Sequence, residues 1–320
     1  MKRGPYVVTL GETMALMAAD QPGPLAHVSS MSLGIGGSES NVAIGLQRLG
    51  IQSVWCGRVG DDSLGQLVER EIRAEGVDVR ITVDHEAPTG LMIKERRTSA
   101  SQKVMYYRSG SAGSRIAPDD VDEQLISGAA LLHVSGITPA LSPQAAITLQ
   151  YAIGTARAAG VPVSFDLNYR SRLWDEAAAG SAYRDIIALV DIVFAGLEEA
   201  ELAVGAAPYG NGPEIAARRI AALGPSQVII KLGAAGAFAL INGTEFSQEA
   251  ARIDAVDTVG AGDAFVAGYL AELVSGMEPQ KRLETAASAG AFVCLVPGDW
   301  EGLPRREELP LLRAHEPVSR

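Results

Sequence analysis

The stretch of this chain best equipped for chemistry is Asp257-Thr258-Val259-Gly260-Ala261-Gly262-Asp263-Ala264-Phe265. Three small residues end at an acid, and an amphipathic run follows, with Phe265, Val266, Tyr269, Leu270, Leu273 and Val274 at helical spacing. The pattern predicts a tight turn over Gly260, Ala261 and Gly262 that enters a helix, with Asp263 in its first turn. The leading N–H groups of a helix lack intrahelical partners, and the helix dipole adds partial positive charge there. Such a turn binds anions, phosphate above all. A carboxylate beside a bound phosphate is repelled by it, unless the acid takes a proton from a hydroxyl that attacks that phosphate. Asp263 alone also reads as a plain helix cap.

Four further clusters bear on that choice. Gly34-Ile35-Gly36-Gly37-Ser38-Glu39-Ser40-Asn41 runs glycines into a helix. Gly36 and Gly37 permit close approach of backbone to a ligand, Ser38 can cap the helix, and Asn41 faces the same loop. Glu39 stands where a dinucleotide-binding fingerprint requires glycine, and no Gly-x-x-x-x-Gly-Lys-Ser/Thr loop occurs. Asp166, Asn168 and Arg170 alternate at the end of a predicted strand and share one side of an extended segment. Arg170 is suited to grip a carboxylate with two hydrogen bonds, or to pair with Asp166. Tyr106 and Arg108 share a strand face that offers a phenol and a cation, with Tyr107 on the other. Lys231-Leu232-Gly233-Ala234-Ala235-Gly236 is glycine-rich, fit to line a flat ligand such as a purine or to make an ordinary hairpin.

Elements that could position these groups follow from periodicity. Short apolar runs predict strands over Tyr6–Leu10, Ser53–Val59, Leu131–Val134, Val161–Asp166, Ile192–Ala195 and Val228–Lys231. Amphipathic runs predict helices over Ser38–Leu49, Ser63–Glu75, Pro143–Ala159, Pro213–Leu223, Asp263–Ser275 and Lys281–Val296. Their alternation predicts an α/β fold with a mostly parallel sheet and helices on both faces. Ligands in such folds sit at the C-terminal strand ends, where Gly11, Gly57, Gly136, Asp166 and Gly233 are expected. Leu91–Arg96 and Lys103–Arg108 read as paired strands, and with Glu12–Ser32 they could project as a small lid sheet or form plain surface hairpins. Asn242-Gly243 reads as a hairpin turn. No repeat, low-complexity tract or interdomain linker is visible, so one domain over residues 1–320 is expected, its lid built from about 12–34 and 89–111.

Bulk properties narrow the function classes. The chain has 320 residues, 47% hydrophobic and 20% charged, an ordinary globular composition. A net charge of −11 disfavours nucleic acid or an anionic membrane as partner, so an anionic substrate needs a local basic pocket. Two isolated cysteines, Cys56 and Cys294, make neither a disulfide framework nor a Cys-rich zinc site. The four histidines lack metal-ligand spacing. With no signal peptide or apolar run of spanning length, a cytoplasmic location is the expectation.

Together these segments resemble the ribokinase-like (PfkB) sugar kinases. Gly36-Gly37 with Asn41 matches the N-terminal signature, Gly57-Arg58-Val59-Gly60-Asp61-Asp62-Ser63-Leu64-Gly65 the segment after it, and Asp257-Thr258 with Gly260-Ala261-Gly262-Asp263 the highly specific C-terminal signature. Within the family the closest likeness is to 2-keto-3-deoxygluconate kinases, carried by Gly11-Glu12, Gly34-Ile35-Gly36-Gly37-Ser38-Glu39-Ser40-Asn41, Tyr106-Tyr107-Arg108, Ser135-Gly136-Ile137, Asp166-Leu167-Asn168-Tyr169-Arg170 with Leu173-Trp174, and Gly298-Asp299-Trp300-Glu301. Leu16 stands where ribokinase-type members carry a sugar-binding Asp, a loss that fits an anionic sugar.

The resemblance implies a three-layer fold and an ATP-dependent kinase with Asp263 as general base. The N–H groups of Gly260, Ala261 and Gly262 would form the anion hole. Gly34, Gly36, Gly37, Ser38, Asn41, Tyr106, Arg108, Arg170 and Asp299 would contact the sugar acid. Asn168, Lys231, Gly233, Gly236, Ala286 and Ala289 would lie along ATP. Magnesium would be served by Glu199 and Asp166 through water. The family's Asn-x-x-Glu segment aligns with Gly196-Leu197-Glu198-Glu199, so the Asn is lost and the Glu kept. The resemblance also implies a dimer through the lid. Alternatives are a kinase for a neutral ketose such as fructose or for another keto-deoxy acid, and a non-catalytic sugar-acid or nucleotide sensor.

Overall fold

The computed structural model describes residues 4–98, 101–205 and 212–313. Nine strands form the main sheet: β1 (Tyr6–Leu10), β4 (Gln52–Gly60), β5 (Asp78–Asp84), β8 (Leu131–Ser135), β9 (Val163–Asp166), β10 (Ile192–Gly196), β11 (Gln227–Lys231), β12 (Ala237–Ile241) and β13 (Thr244–Gln248). The order is β13-β12-β11-β10-β9-β8-β1-β4-β5, with every pair from β11 to β5 parallel and β12 and β13 antiparallel. Strands buried on both faces read as unbroken apolar runs. In β1, Val8 packs into one core with Val134 and Phe165, while its neighbour Val7 packs into the opposite core with Phe194 and Tyr269. The α/β architecture expected from the alternation is the one observed.

The expected helices form with ends displaced by a few residues: Ser38–Arg48, Ser63–Ala74, Pro143–Ala158, Pro213–Ala221, Ala261–Val274 and Pro279–Val293. Pro143, Pro213 and Pro279 each open a helix, where proline's missing N–H is harmless. One placement needs correction. Gly57 does not end its strand, because β4 runs on to Gly60; a side chain at Gly57 would run into the Trp55 ring and the Gly11 carbonyl.

A separate four-stranded sheet, ordered β3-β2-β6-β7, comprises β2 (Met14–Ala19), β3 (Met31–Gly36), β6 (Leu91–Thr98) and β7 (Ser101–Tyr107). The β6–β7 pair is the expected hairpin, longer at its tip than the polar stretch implied; residues 99 and 100 lie outside the described set. Met14, Leu16 and Met92 form its own apolar cluster. Among the described residues no helix is long and apolar enough to cross a membrane.

Candidate active site

The site forms where β9, β10 and β11 end beside the helix Ala261–Val274. Gly260 caps that helix in the left-handed region, with φ 78° and ψ −9°. A side chain there would collide with the Asp299 carbonyl, so the chain reverses at this point only with glycine. Ala261 N–H makes only a long bond to the Thr258 carbonyl (3.3 Å), and the first bond of the helix runs from Ala264 N–H to the Gly260 carbonyl (2.8 Å). The helix therefore begins two residues earlier than the apolar spacing indicated, and Asp263 sits in its first turn as expected.

Two donors hold Asp263 in place. Ser38 Oγ donates to Oδ1 at 2.7 Å and Asn41 Nδ2 to Oδ2 at 2.9 Å. Asn168 Nδ2 in turn donates to Ser38 Oγ at 2.7 Å. Asn168 reaches it from a left-handed backbone (φ 43°) that asparagine tolerates. Ser38 is thus a brace for the carboxylate and not the helix cap; Gly37 occupies the cap position and supplies no side-chain bond. Burial raises the Asp263 pKa above the ordinary aspartate value, outweighing the hydrogen bonds of Ser38 and Asn41 and the charges of Arg170 and Lys231. A carboxylate with a raised pKa is a better proton acceptor.

A cavity of about 1110 Å³ opens on this carboxylate. The small sheet contributes Leu16, Met92, Lys94 and Tyr106, and the main body contributes Asn168, Arg170 and Asp299. Gly260, Ala261 and Gly262 line it beside Asp263, as do Lys231, Gly233 and Gly236 from the end of β11. Asp166 lies against Lys231, whose Nζ is 2.7 and 2.8 Å from its two oxygens, so Asp166 is not the partner of Arg170. Burial pushes Asp166 up to about 6 despite that ammonium. Asp299 is likewise pushed up to about 6 by burial. Arg170 is exposed, and among the described residues it makes no ion pair; its Nη1 donates only to the Tyr169 carbonyl at 3.1 Å.

Three sequence expectations fail against this geometry. Arg108 does not line the cavity. β7 ends at Tyr107, so strand alternation no longer governs Arg108, and its Nε and Nη2 both donate to buried Glu12, at 2.8 and 2.5 Å. Ala286 and Ala289 face the protein core; the cavity face of their helix is Ala287, Gly290 and Ala291, one position out of phase. Gly34 lies outside the lining. Gly36 and Gly37 act by what they omit: a side chain on Gly36 would strike Met92 and Asp299, and one on Gly37 would meet the backbone of Glu12 at 2.6 Å. Glu199 lines the cavity, yet its oxygens accept from Tyr169 N–H (2.9 Å) and Gly196 N–H (2.7 Å). Among the described residues no group of three His, Cys, Asp or Glu side chains is placed to hold a metal ion.

In the sequence Glu39 stands as a mismatch to a dinucleotide fingerprint and as one member of the motif over residues 34–41, with no role of its own. It is fully buried beneath the glycine entry, filling the space left by Gly11 and accepting from Ser135 Oγ at 2.6 Å and Thr138 Oγ1 at 3.2 Å. Burial pushes its pKa from 4.5 to about 7. A folded-state pKa raised above the unfolded one stabilises fully below pH 4.5, and that contribution is lost as pH rises through about 7. Glu39→Gln is therefore expected to raise the melting temperature at pH 8, by at most about 3 kcal/mol of stability, with the gain fading below pH 5. A gain of equal size at both pH values, read by thermal melts, would show that the charge is not the cause.

A carboxylate braced at a glycine-lined helix start, with a large cavity and a guanidinium before it, suits an enzyme that transfers phosphoryl groups to hydroxyls. The chain belongs to the pfkB family of carbohydrate kinases, whose model matches residues 5–306, and it is an ATP-dependent sugar kinase. It is similar to a 2-dehydro-3-deoxygluconokinase of Bacillus subtilis (strain 168), 39% identical over 306 residues, covering 94% of this chain and 93% of the relative. The crystal structure of 2-dehydro-3-deoxygluconokinase from Thermotoga maritima matches with a TM-score of 0.89 at 29% identity, covering 97% of this chain and 98% of the other. That of a putative ribokinase II from E. coli in complex with ATP and Mg²⁺ matches with a TM-score of 0.88 at 25% identity, covering 97% and 99%.

Proposed function

We propose that this kinase transfers the γ-phosphoryl group of ATP to the terminal hydroxyl of 2-keto-3-deoxygluconate. The observation that carries the choice of a sugar acid is Arg170, a guanidinium at the cavity that forms no ion pair among the described residues. A planar guanidinium matches a carboxylate with two parallel hydrogen bonds. The apolar Leu16 and Met92 leave that charge uncontested on the small-sheet side. The 39% identity to a kinase named for this substrate supports the same reading.

In this mechanism Asp263 takes the proton of the sugar's terminal hydroxyl as the hydroxyl oxygen attacks the γ-phosphorus, and the bond from that phosphorus to the β–γ bridging oxygen breaks to release ADP. The leading N–H groups at Gly260, Ala261 and Gly262 stabilise the charge on the transferring group. Lys231, held by Asp166, adds positive charge on the nucleotide side, and Gly233 and Gly236 leave room for the nucleotide. Magnesium brought with ATP would supply further charge neutralisation, with Asp166 and Glu199 as the residues to serve it. The donor set fits that role: Asp166 and Glu199 already have hydrogen-bonded partners, so they suit contact through water better than a direct protein cage. The small sheet covers the sugar and excludes water, which limits idle ATP hydrolysis.

The test is ADP release with 2-keto-3-deoxygluconate and with fructose, for the wild-type enzyme and Arg170→Ala. The variant is expected to raise KM for the acid by roughly tenfold to a hundredfold, in keeping with loss of hydrogen bonds to a charged group, and to leave fructose kinetics unchanged. An unmoved KM for the acid would rule out Arg170 as its anchor, and faster turnover of fructose by the wild type would favour a neutral ketose.

A further inference from the structure

Lys94 on β6 carries an ammonium that is almost wholly buried, 4% exposed. Its Nζ donates to Asp257 Oδ2 at 2.7 Å and lies 3.7 Å from Asp299 Oδ1. Both carboxylates belong to segments that shape the glycine turn. Asp257 opens the Asp257–Gly260 stretch, and its side chain also accepts from Val259 N–H at 3.1 Å and Gly298 N–H at 3.4 Å. The Asp299 carbonyl is the group that packs against Gly260. One side chain from the small sheet therefore touches both walls of the turn that leads into Asp263.

A buried cation between two buried acids is strongly directional: removing it leaves carboxylates with no counter-charge in a low-dielectric site. Here Asp299 also lines the cavity where a phosphoryl group must arrive, so an uncompensated charge on it would repel the transferring group, and the loss of the cation between the two acids would loosen the turn. We propose that Lys94 is a positioning residue for phosphoryl transfer, tying the small sheet to the glycine turn by clamping Asp257 and Asp299 on either side of Gly260. It acts on the reacting atoms through that turn, and it rests on the kinase reading above. The role is separate from gripping the sugar acid, because the Lys94 ammonium is already committed to Asp257.

Three variants and three readouts test this. Lys94→Met keeps the stem and removes the charge; kcat is expected to fall about a hundredfold, the loss typical of a small displacement of reacting groups, with KM for the sugar acid changed less than threefold. In Lys94→Ala, ethylammonium added to the assay is expected to recover at least tenfold of the lost kcat in a saturable way and to leave wild type unaffected. Lys94→Met/Asp257→Asn removes the orphaned charge and guards against misfolding of the single variant; its kcat is expected to stay low although its melting temperature recovers. Hydrogen exchange of the 257–263 amides, measured without substrate, is expected to quicken in Lys94→Met. Wild-type kcat in a folded Lys94→Met, a rise in KM alone, failure of ethylammonium to rescue, or unchanged exchange across the turn would each overturn the proposal. If the wild-type enzyme released no ADP with the sugar acid while the exchange result held, the substrate reading would fall and the clamp would stand.

Discussion

Asp263→Asn is expected to lower kcat by about a thousandfold, the middle of the range for loss of a general base. The substitution keeps the shape of the side chain and removes its capacity to take a proton. It also leaves an amide facing the Ser38 and Asn41 donors, so one of these two bonds must rearrange. ATP binding, which rests on other residues, is expected to change little. The pH profile carries the same claim. Only the ionised carboxylate accepts a proton, so kcat falls as pH drops through the Asp263 pKa and is level above it. Because burial raises that pKa from 3.8, the acid limb lies above the ordinary aspartate range. Coupled ADP-release kinetics measure both effects. Turnover of Asp263→Asn within a few-fold of wild type would remove the base from the mechanism.

Gly260→Ala is expected to lower kcat at least a hundredfold and to destabilise the fold. Two causes combine. The left-handed backbone at φ 78° costs a non-glycine residue about 1–2 kcal/mol. The added methyl also meets the Asp299 carbonyl, so the turn must open and carry its N–H groups away from the phosphoryl position. A displacement near 1 Å is enough for a loss on the order of a hundredfold. Gly276→Ala separates the causes, since Gly276 has φ 74° and open space where the methyl would go. That variant is expected to lose about 1 kcal/mol of stability and no kcat. Equal kcat for the two variants would show that the contact with Asp299 does not set the turn.

Six strands of the large sheet, β1, β4 and β8 to β11, were legible because they are buried on both faces and appear as short apolar runs between amphipathic ones; the edge strands β5 and β13 are partly exposed and carry no such run. The Asn242-Gly243 turn was legible for a local reason: both residues take positive φ, 50° and 81°, as a two-residue hairpin requires. The glycine turn before Asp263 was also readable, since small residues and an acid in the first helical turn leave few conformations. What escaped depends on contacts distant in sequence. Arg108 was assigned to the cavity by strand alternation, but its partner Glu12 lies 96 residues away, and the strand stops one residue short. Ala286 and Ala289 failed through helix phase: one residue rotates a side chain by about 100°, and an alanine-rich helix offers no polar face to fix it. Lys94 gave no local signal, and Glu39 gave none of its burial, because a buried charge is recognised only by what surrounds it.

The most direct measurement is a crystal structure with 2-keto-3-deoxygluconate and a non-hydrolysable ATP analogue bound together. The account predicts the sugar's terminal hydroxyl within hydrogen-bond distance of Asp263, the γ-phosphate against the Gly260–Gly262 turn, and the sugar carboxylate on Arg170. A sugar bound with its carboxylate away from Arg170, or with its terminal hydroxyl beyond reach of Asp263, would contradict it.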